Sequence, residues 1–181
     1  MTVAPAPLSE PLDLKIVGGI LLDGSGAPGY RADLGIRGDR IAAIGDLSQA
    51  SAHHAMDAMG RVVAPGFIDV HGHDDLMFIE KPDLSWKTTQ GVTTVVVGNC
   101  GMSAAPAPRA GNQAAALTLL GKAPLFPDMA TYLDALENAR PKINVAALVG
   151  HGNLRLAVMA DPSGTASTGE QQAMQAMLEE A

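Results

Sequence analysis

Past an Ala/Pro-rich opening, the apolar residues fall into two successive rhythms. Leu14-Lys15-Ile16-Val17 alternates, Gly18-Gly19 interrupts, and Ile20-Leu21-Leu22 resumes before the turn cluster Asp23-Gly24-Ser25-Gly26. A period of two is that of a strand with one buried face. Leu34 and Ile36 stand opposite Ile41 and Ile44 across Gly38-Asp39, a two-residue connection that closes a tight hairpin. Arg37-Gly38-Asp39 also spells an adhesion tripeptide, but a hairpin turn already demands Gly-Asp there. His53-His54 lies in an Ala/Ser-rich stretch, where neighbouring side chains point opposite ways, and reads as solvated loop.

The rhythm changes at Pro65. Residues 66–70 form a short apolar strand ending at His71-Gly72-His73, and residues 85–90 a brief helix. Residues 92–97 are apolar or β-branched throughout, as a strand buried on both faces should be, and stop at Gly98-Asn99-Cys100-Gly101. A long Ala/Pro connection covers residues 102–127. Asp128 then caps a helix with apolar positions Met129, Tyr132, Leu133 and Leu136, closed by Pro141. A third strand, residues 143–149, runs into Gly150-His151-Gly152. The last helix opens at Thr168 with Gln171 three residues on, a capping box, and carries the stripe Met174, Met177 and Leu178.

The organisation predicted is a flexible leader (residues 1–11), a small β-sandwich segment (12–64), and an α/β region (65–181). Repeated strand–helix units require a parallel sheet with right-handed crossovers. Function in such sheets gathers at the C-terminal ends of the strands, where the polar residues of all three strands stand here.

Composition narrows the function classes. With 47% hydrophobic residues the chain can bury a core, and its net charge of -7 gives no basic field for nucleic acid or an anionic membrane. No apolar run approaches the roughly 20 residues of a membrane span. A single cysteine excludes an internal disulfide framework, and the opening lacks the charged and apolar regions of a secretory signal. A cytoplasmic location is the default expectation.

His71 and His73, two apart on a strand, leave the same face with Cα atoms roughly 6.5 to 7 Å apart. Two imidazoles so placed can converge on one zinc ion. Asp69 shares their parity; it either hydrogen-bonds a ligand or nearby backbone, or merely satisfies polar groups at the strand end. Cys100 ends the next strand at the same edge, where a cation would ionise its thiol. A buried apolar cysteine and a Cys–His nucleophile are the competing readings; two histidines on one strand suit a metal better. His151 is read as a substrate-pocket residue or a structural histidine, and Arg155 as the partner of a substrate carboxylate or a solvated loop residue.

The string Ala64-Pro65-Gly66-Phe67-Ile68-Asp69-Val70-His71-Gly72-His73-Asp74-Asp75 resembles the first barrel strand of the amidohydrolase superfamily. Gly98-Asn99-Cys100-Gly101-Met102-Ser103 and Val149-Gly150-His151-Gly152-Asn153-Leu154-Arg155 resemble its D-aminoacylase (N-acyl-D-amino-acid deacylase) branch, as does the stretch from Asp13 to Gly45. The resemblance implies the N-terminal part of a (β/α)8 barrel, about three βα units, preceded by a β-sandwich segment. It implies a zinc site of one or two metals, with His71 and His73 on one metal and Cys100 on the other, tighter zinc or bridging the two, and hydrolysis of the amide of an N-acyl-D-amino acid. Zinc brings the pKa of bound water to about 7 and polarises an acyl carbonyl. The family's two further histidine ligands and its general acid/base aspartate fall beyond residue 181, and residues 66–181 are fewer than half of the roughly 250 of a closed barrel. These 181 residues alone are therefore expected to be inactive and, with an uncovered sheet edge, to self-associate. A dihydropyrimidinase-like cyclic-amide hydrolase and a non-catalytic remnant are the alternatives; none of the lysines stands at a strand end as the bridging lysine of many relatives does.

Overall fold

The computed structural model describes residues 10–112, 114 and 125–181. It divides into two compact units, Met1–Pro65 and Gly66–Ala181. Of the expected leader, residues 1–9 lie outside the described residues, as do 113 and 115–124 of the Ala/Pro connection. No helix among the described residues is long and apolar enough to cross a membrane.

Among its described residues the first unit holds seven strands: β1 (Leu12–Val17), β2 (Ile20–Leu21), β3 (Tyr30–Arg31), β4 (Asp33–Arg37), β5 (Arg40–Gly45), β6 (Ala52–Asp57) and β7 (Val62–Val63). They form a four-stranded sheet in the order β5-β4-β1-β6 and a three-stranded sheet in the order β3-β2-β7. The β4–β5 hairpin turns at Gly38-Asp39, with Gly38 at φ 57°. Leu34 faces Ile44, Gly35 faces Ala43 and Ile36 faces Ile41, so Gly35-Ile36 on β4 opposes three residues, Ile41 to Ala43, on β5. A register shift between Gly35 and Ile36 absorbs the extra residue. His53-His54 is corrected from loop to strand: both lie in β6, which pairs parallel to β1 with His54 opposite Leu14. Almost all of β6 is exposed, so its ladder is held by backbone bonds without the apolar alternation that marks a strand in sequence.

The second unit is built on a parallel sheet, order β10-β9-β8, of β8 (Phe67–Asp69), β9 (Val92–Val97) and β10 (Asn144–Ala147). Among the described residues its helices of four or more residues are α1 (Met77–Glu80), α2 (Ser85–Thr88), α3 (Met129–Ala139), α4 (His151–Val158) and α5 (Thr168–Glu180). Central β9 buries Val95 and Val97 completely against Phe78, Leu84, Tyr132 and Leu136. The Asp128 carboxylate accepts from the Thr131 N–H at 2.7 Å and starts α3, while Arg140 in the left-handed region ends it. Met129, Tyr132 and Leu136 form the buried face, whereas Leu133, expected in it, is 46% exposed. An i, i+3, i+7 stripe is narrower than the sequence reading allowed.

The capping box of α5 sits one residue earlier than expected. Ser167 accepts from the Glu170 N–H, and the Glu170 carboxylate accepts from the Ser167 N–H. Two overlapping Ser/Thr-x-x-Glu/Gln patterns compete here, and the anionic acceptor makes the stronger bond. Met174 is buried and Leu178 largely exposed. The third strand is shorter than predicted, and His151 opens helix α4 instead of ending that strand.

Candidate metal centre

Strand β8 stops at Asp69, so His71 and His73 stand in the turn that follows, not on the strand itself. They still converge, their ring centroids 5.3 Å apart and their planes tilted by 66°. Gly72 between them lies flat on the sheet. It donates its N–H to Val96 O, and a Cβ there would come within 2.5 Å of Val95 Cγ1. The loop after β9 is as sharply bent: Gly98, Cys100 and Gly101 all have positive φ, at 81°, 55° and 78°. The left-handed conformation costs a cysteine energy and is held by its surroundings. Asn99 ties the two loops together, its amide donating to Gly72 O at 3.1 Å and to Val96 O at 2.9 Å.

These constraints bring His71, His73 and Cys100 together at the surface, with one potential ligand atom from each lying within 4.8 Å of the others. His71 Nε2 is 3.2 Å from Cys100 Sγ. Nitrogen at about 2.0–2.1 Å and sulfur at about 2.3 Å from a tetrahedral zinc are about 3.5 Å apart. The donor pair is therefore within a few tenths of an ångström of a chelating geometry. Two imidazoles and a thiolate form a donor set that suits zinc better than magnesium or calcium, which take oxygen ligands.

Asp69 serves the backbone here: one carboxylate oxygen accepts from the His71 N–H at 3.2 Å and the other from Lys87 Nζ at 2.6 Å. The Lys87 ammonium, with the His71 N–H, holds the Asp69 carboxyl below the usual carboxylate range. Lys87, on α2, also contacts Asp74 at 2.8 Å. Burial pulls the lysine down, but its two carboxylate partners outweigh that and hold it above its ordinary value. Nothing in the local sequence marks Lys87, which lies 18 residues from Asp69.

Asp75 is fully buried, and among the described residues neither of its carboxylate oxygens has a hydrogen-bond partner. Burial pushes its pKa up, against a weaker pull from backbone groups at Asp75 and Gly98 and from His73. Its own carbonyl accepts from the Tyr132 hydroxyl at 2.7 Å.

His151 is exposed at the start of α4. The loops close tightly around it: a Cβ on Gly150 or Gly152 would lie 2.5 or 2.6 Å from Gly101 O. Buried Asn153 exchanges bonds with the Ser103 backbone, accepting from its N–H at 2.9 Å and donating to its carbonyl at 2.8 Å. Asn153 thus fastens α4 to the chain just beyond Cys100. Arg155, read from sequence as a substrate or solvent-facing group, already donates from Nε to Pro162 O and from Nη2 to Gly164 O. Its visible work is to hold the α4–α5 loop.

The Amidohydrolase family pattern matches residues 54–181. An N-acyl-D-glutamate deacylase of Alcaligenes xylosoxydans xylosoxydans is 67% identical over 174 residues, covering 96% of this chain and 36% of that protein. The crystal structure of an N-acyl-D-glutamate deacylase from Bordetella bronchiseptica, complexed with zinc and a phosphonate mimic of the tetrahedral intermediate, matches with TM-score 0.91 at 67% identity. That match covers 95% of this chain and 36% of that one. A D-aminoacylase described with a binuclear metal centre matches with TM-score 0.88 at 48% identity, over 94% of this chain and 36% of its own. The chain thus spans about a third of the length of these relatives. With most of its length matched by the family pattern and almost all of it by these relatives, the chain belongs to the amidohydrolase family.

Proposed function

We propose that this chain supplies the first metal-binding wing of a zinc-dependent hydrolase that cleaves the amide of N-acyl-D-amino acids. The observation that carries the reading is the convergence of His71, His73 and Cys100 on one point at the end of a parallel sheet. Zinc held there would supply a charge that acidifies a water and polarises the acyl carbonyl. The residues of this chain would do the holding. His71 and His73 furnish nitrogen, Cys100 furnishes sulfur, Asp69 fixes the backbone of His71, and Asn99 fixes the spacing between the loops. His151 is assigned to the substrate pocket, and β8, β9 and β10 to the opening strands of a (β/α)8 barrel. Proton transfer at the scissile nitrogen is assigned to the part of the relatives that this chain does not span.

The test is metal content followed by complementation. The purified chain should retain zinc in stoichiometric amount after dialysis, and His71→Ala, His73→Ala and Cys100→Ala should each lower it. Alone it should release no D-amino acid. Co-expressed with the complementary portion of the Alcaligenes deacylase, it should release D-glutamate from N-acetyl-D-glutamate in a zinc-dependent way. Zinc content indifferent to all three substitutions would remove the basis of the proposal.

A further inference from the structure

The charged groups behind the metal-binding turn form a closed arrangement. Asp69 precedes His71 by two residues, Asp74 follows His73 by one, and the ammonium of Lys87 bridges them at 2.6 and 2.8 Å. All three side chains are largely shielded, at 16% exposure for Lys87, 31% for Asp69 and 22% for Asp74. The turn between the two carboxylates holds both histidines. Further restraints come from the β9 side, Gly72 N–H to Val96 O and the Asn99 amide to Gly72 O, and from α1, whose Met77 N–H donates to Asp74 O. Without the lysine, the two flanks of the turn would be two carboxylates in mutual repulsion.

We infer that Lys87 is a positioning residue of the metal centre, a clamp from α2 that sets the spacing of His71 and His73 by holding Asp69 and Asp74 on one ammonium. The inference rests on the zinc reading proposed above. Its physical content lies in a competition between two effects. Deleting the lysine charge leaves two uncompensated carboxylates near the cation, which by Coulomb attraction alone would tighten zinc binding. Deleting the clamp frees the turn, and ordering it again on binding weakens zinc. Groups that orient metal ligands from behind typically change metal affinity by about 10- to 100-fold when removed. The geometry favours the second effect, because one carboxylate oxygen of Asp69 is bonded directly to the backbone of a ligand residue.

Zinc affinity of the whole chain, measured by competition with a chromophoric chelator, tests this in wild type, Lys87→Met, Lys87→Arg and Asp74→Asn. Lys87→Met should bind zinc about 10-fold or more weakly, and Lys87→Arg should recover most of the loss, because a guanidinium can span two carboxylates. Asp74→Asn releases one flank while leaving the Lys87–Asp69 pair, and should give an intermediate loss; it serves if the methionine variant does not fold. The Co(II)-substituted proteins should show altered ligand-field bands in the Met variant and wild-type bands in the Arg variant. If wild type binds zinc and Asp74→Asn and any folded Lys87→Met bind it equally or more tightly, the clamp is overturned while the metal centre stands. If wild type itself takes up no zinc, the metal reading falls and the clamp with it.

Discussion

Gly72 bears a constraint that the histidines beside it do not share. Any larger residue would drive a Cβ to 2.5 Å from the methyl of Val95, a side chain with no exposure and no room to retreat. The turn would have to lift from the sheet, breaking the Gly72 N–H bond to Val96 O and parting the imidazoles from Cys100. Overpacking of this kind typically costs about 1–3 kcal/mol. Gly72→Ala should therefore lower stability in urea unfolding by that order and, in the folded fraction, weaken zinc binding. Gly24→Ala, in a turn where nothing stands within 4 Å of the added carbon, gives the contrast. It should leave zinc binding unchanged, with only the backbone cost of a side chain at φ 82°.

Helix α3 shows how a single element can be written in sequence and titrated in solution. Its cap, Asp128, accepts from both the N–H and the hydroxyl of Thr131, and these bonds hold its carboxyl below the usual aspartate range. A carboxylate with a lowered folded pKa contributes stability above its unfolded pKa and loses it as pH falls through the folded value. Asp128→Asn keeps a capping oxygen but removes the charge. Unfolding midpoints should therefore show wild type above the variant at neutral pH, with the gap closing as the pH is taken down through and below 3.8; a gap constant with pH would exclude the ionised cap. Such an element is legible because cap and apolar stripe are local. β9 was legible for the same reason, as an unbroken β-branched run, and so was the Gly38-Asp39 hairpin. Helix α4 was not, because Gly150 and Gly152 look like breakers. They are there for close approach to Gly101, a contact nearly 50 residues away in sequence. Strand β6 was hidden by its exposure on both faces. At the candidate site the metal-type donors could be read from residue chemistry, whereas the groups that hold them, Lys87, Asn99 and Asn153, act through bonds of 18, 27 and 50 residues' separation.

For the molecule as a whole, the informative feature is the sheet of the second unit, whose outer strands β8 and β10 each pair on one side only among the described residues. β8 carries Phe67, Ile68 and, just beyond it, Val70, between 61% and 69% exposed, and Leu148 follows β10 at 49%. Apolar side chains on an unpaired parallel edge offer both backbone hydrogen bonds and buried area to another strand. Parallel strands need both faces covered. The occupant most readily available to a purified chain is a second copy of itself. The chain should therefore elute above monomer mass in light-scattering chromatography, increasingly so with concentration. Ile68→Lys places a charge on that edge without touching the three proposed metal donors, and charged edges resist pairing. It should return the chain towards monomer while its zinc content stays at the wild-type level. A wild type that remains monomeric at every concentration tested would mean that these strands are protected by something other than another copy. Equal association in both proteins would move the contact off β8, and loss of zinc with dissociation would tie the metal turn to the sheet edge that supports it.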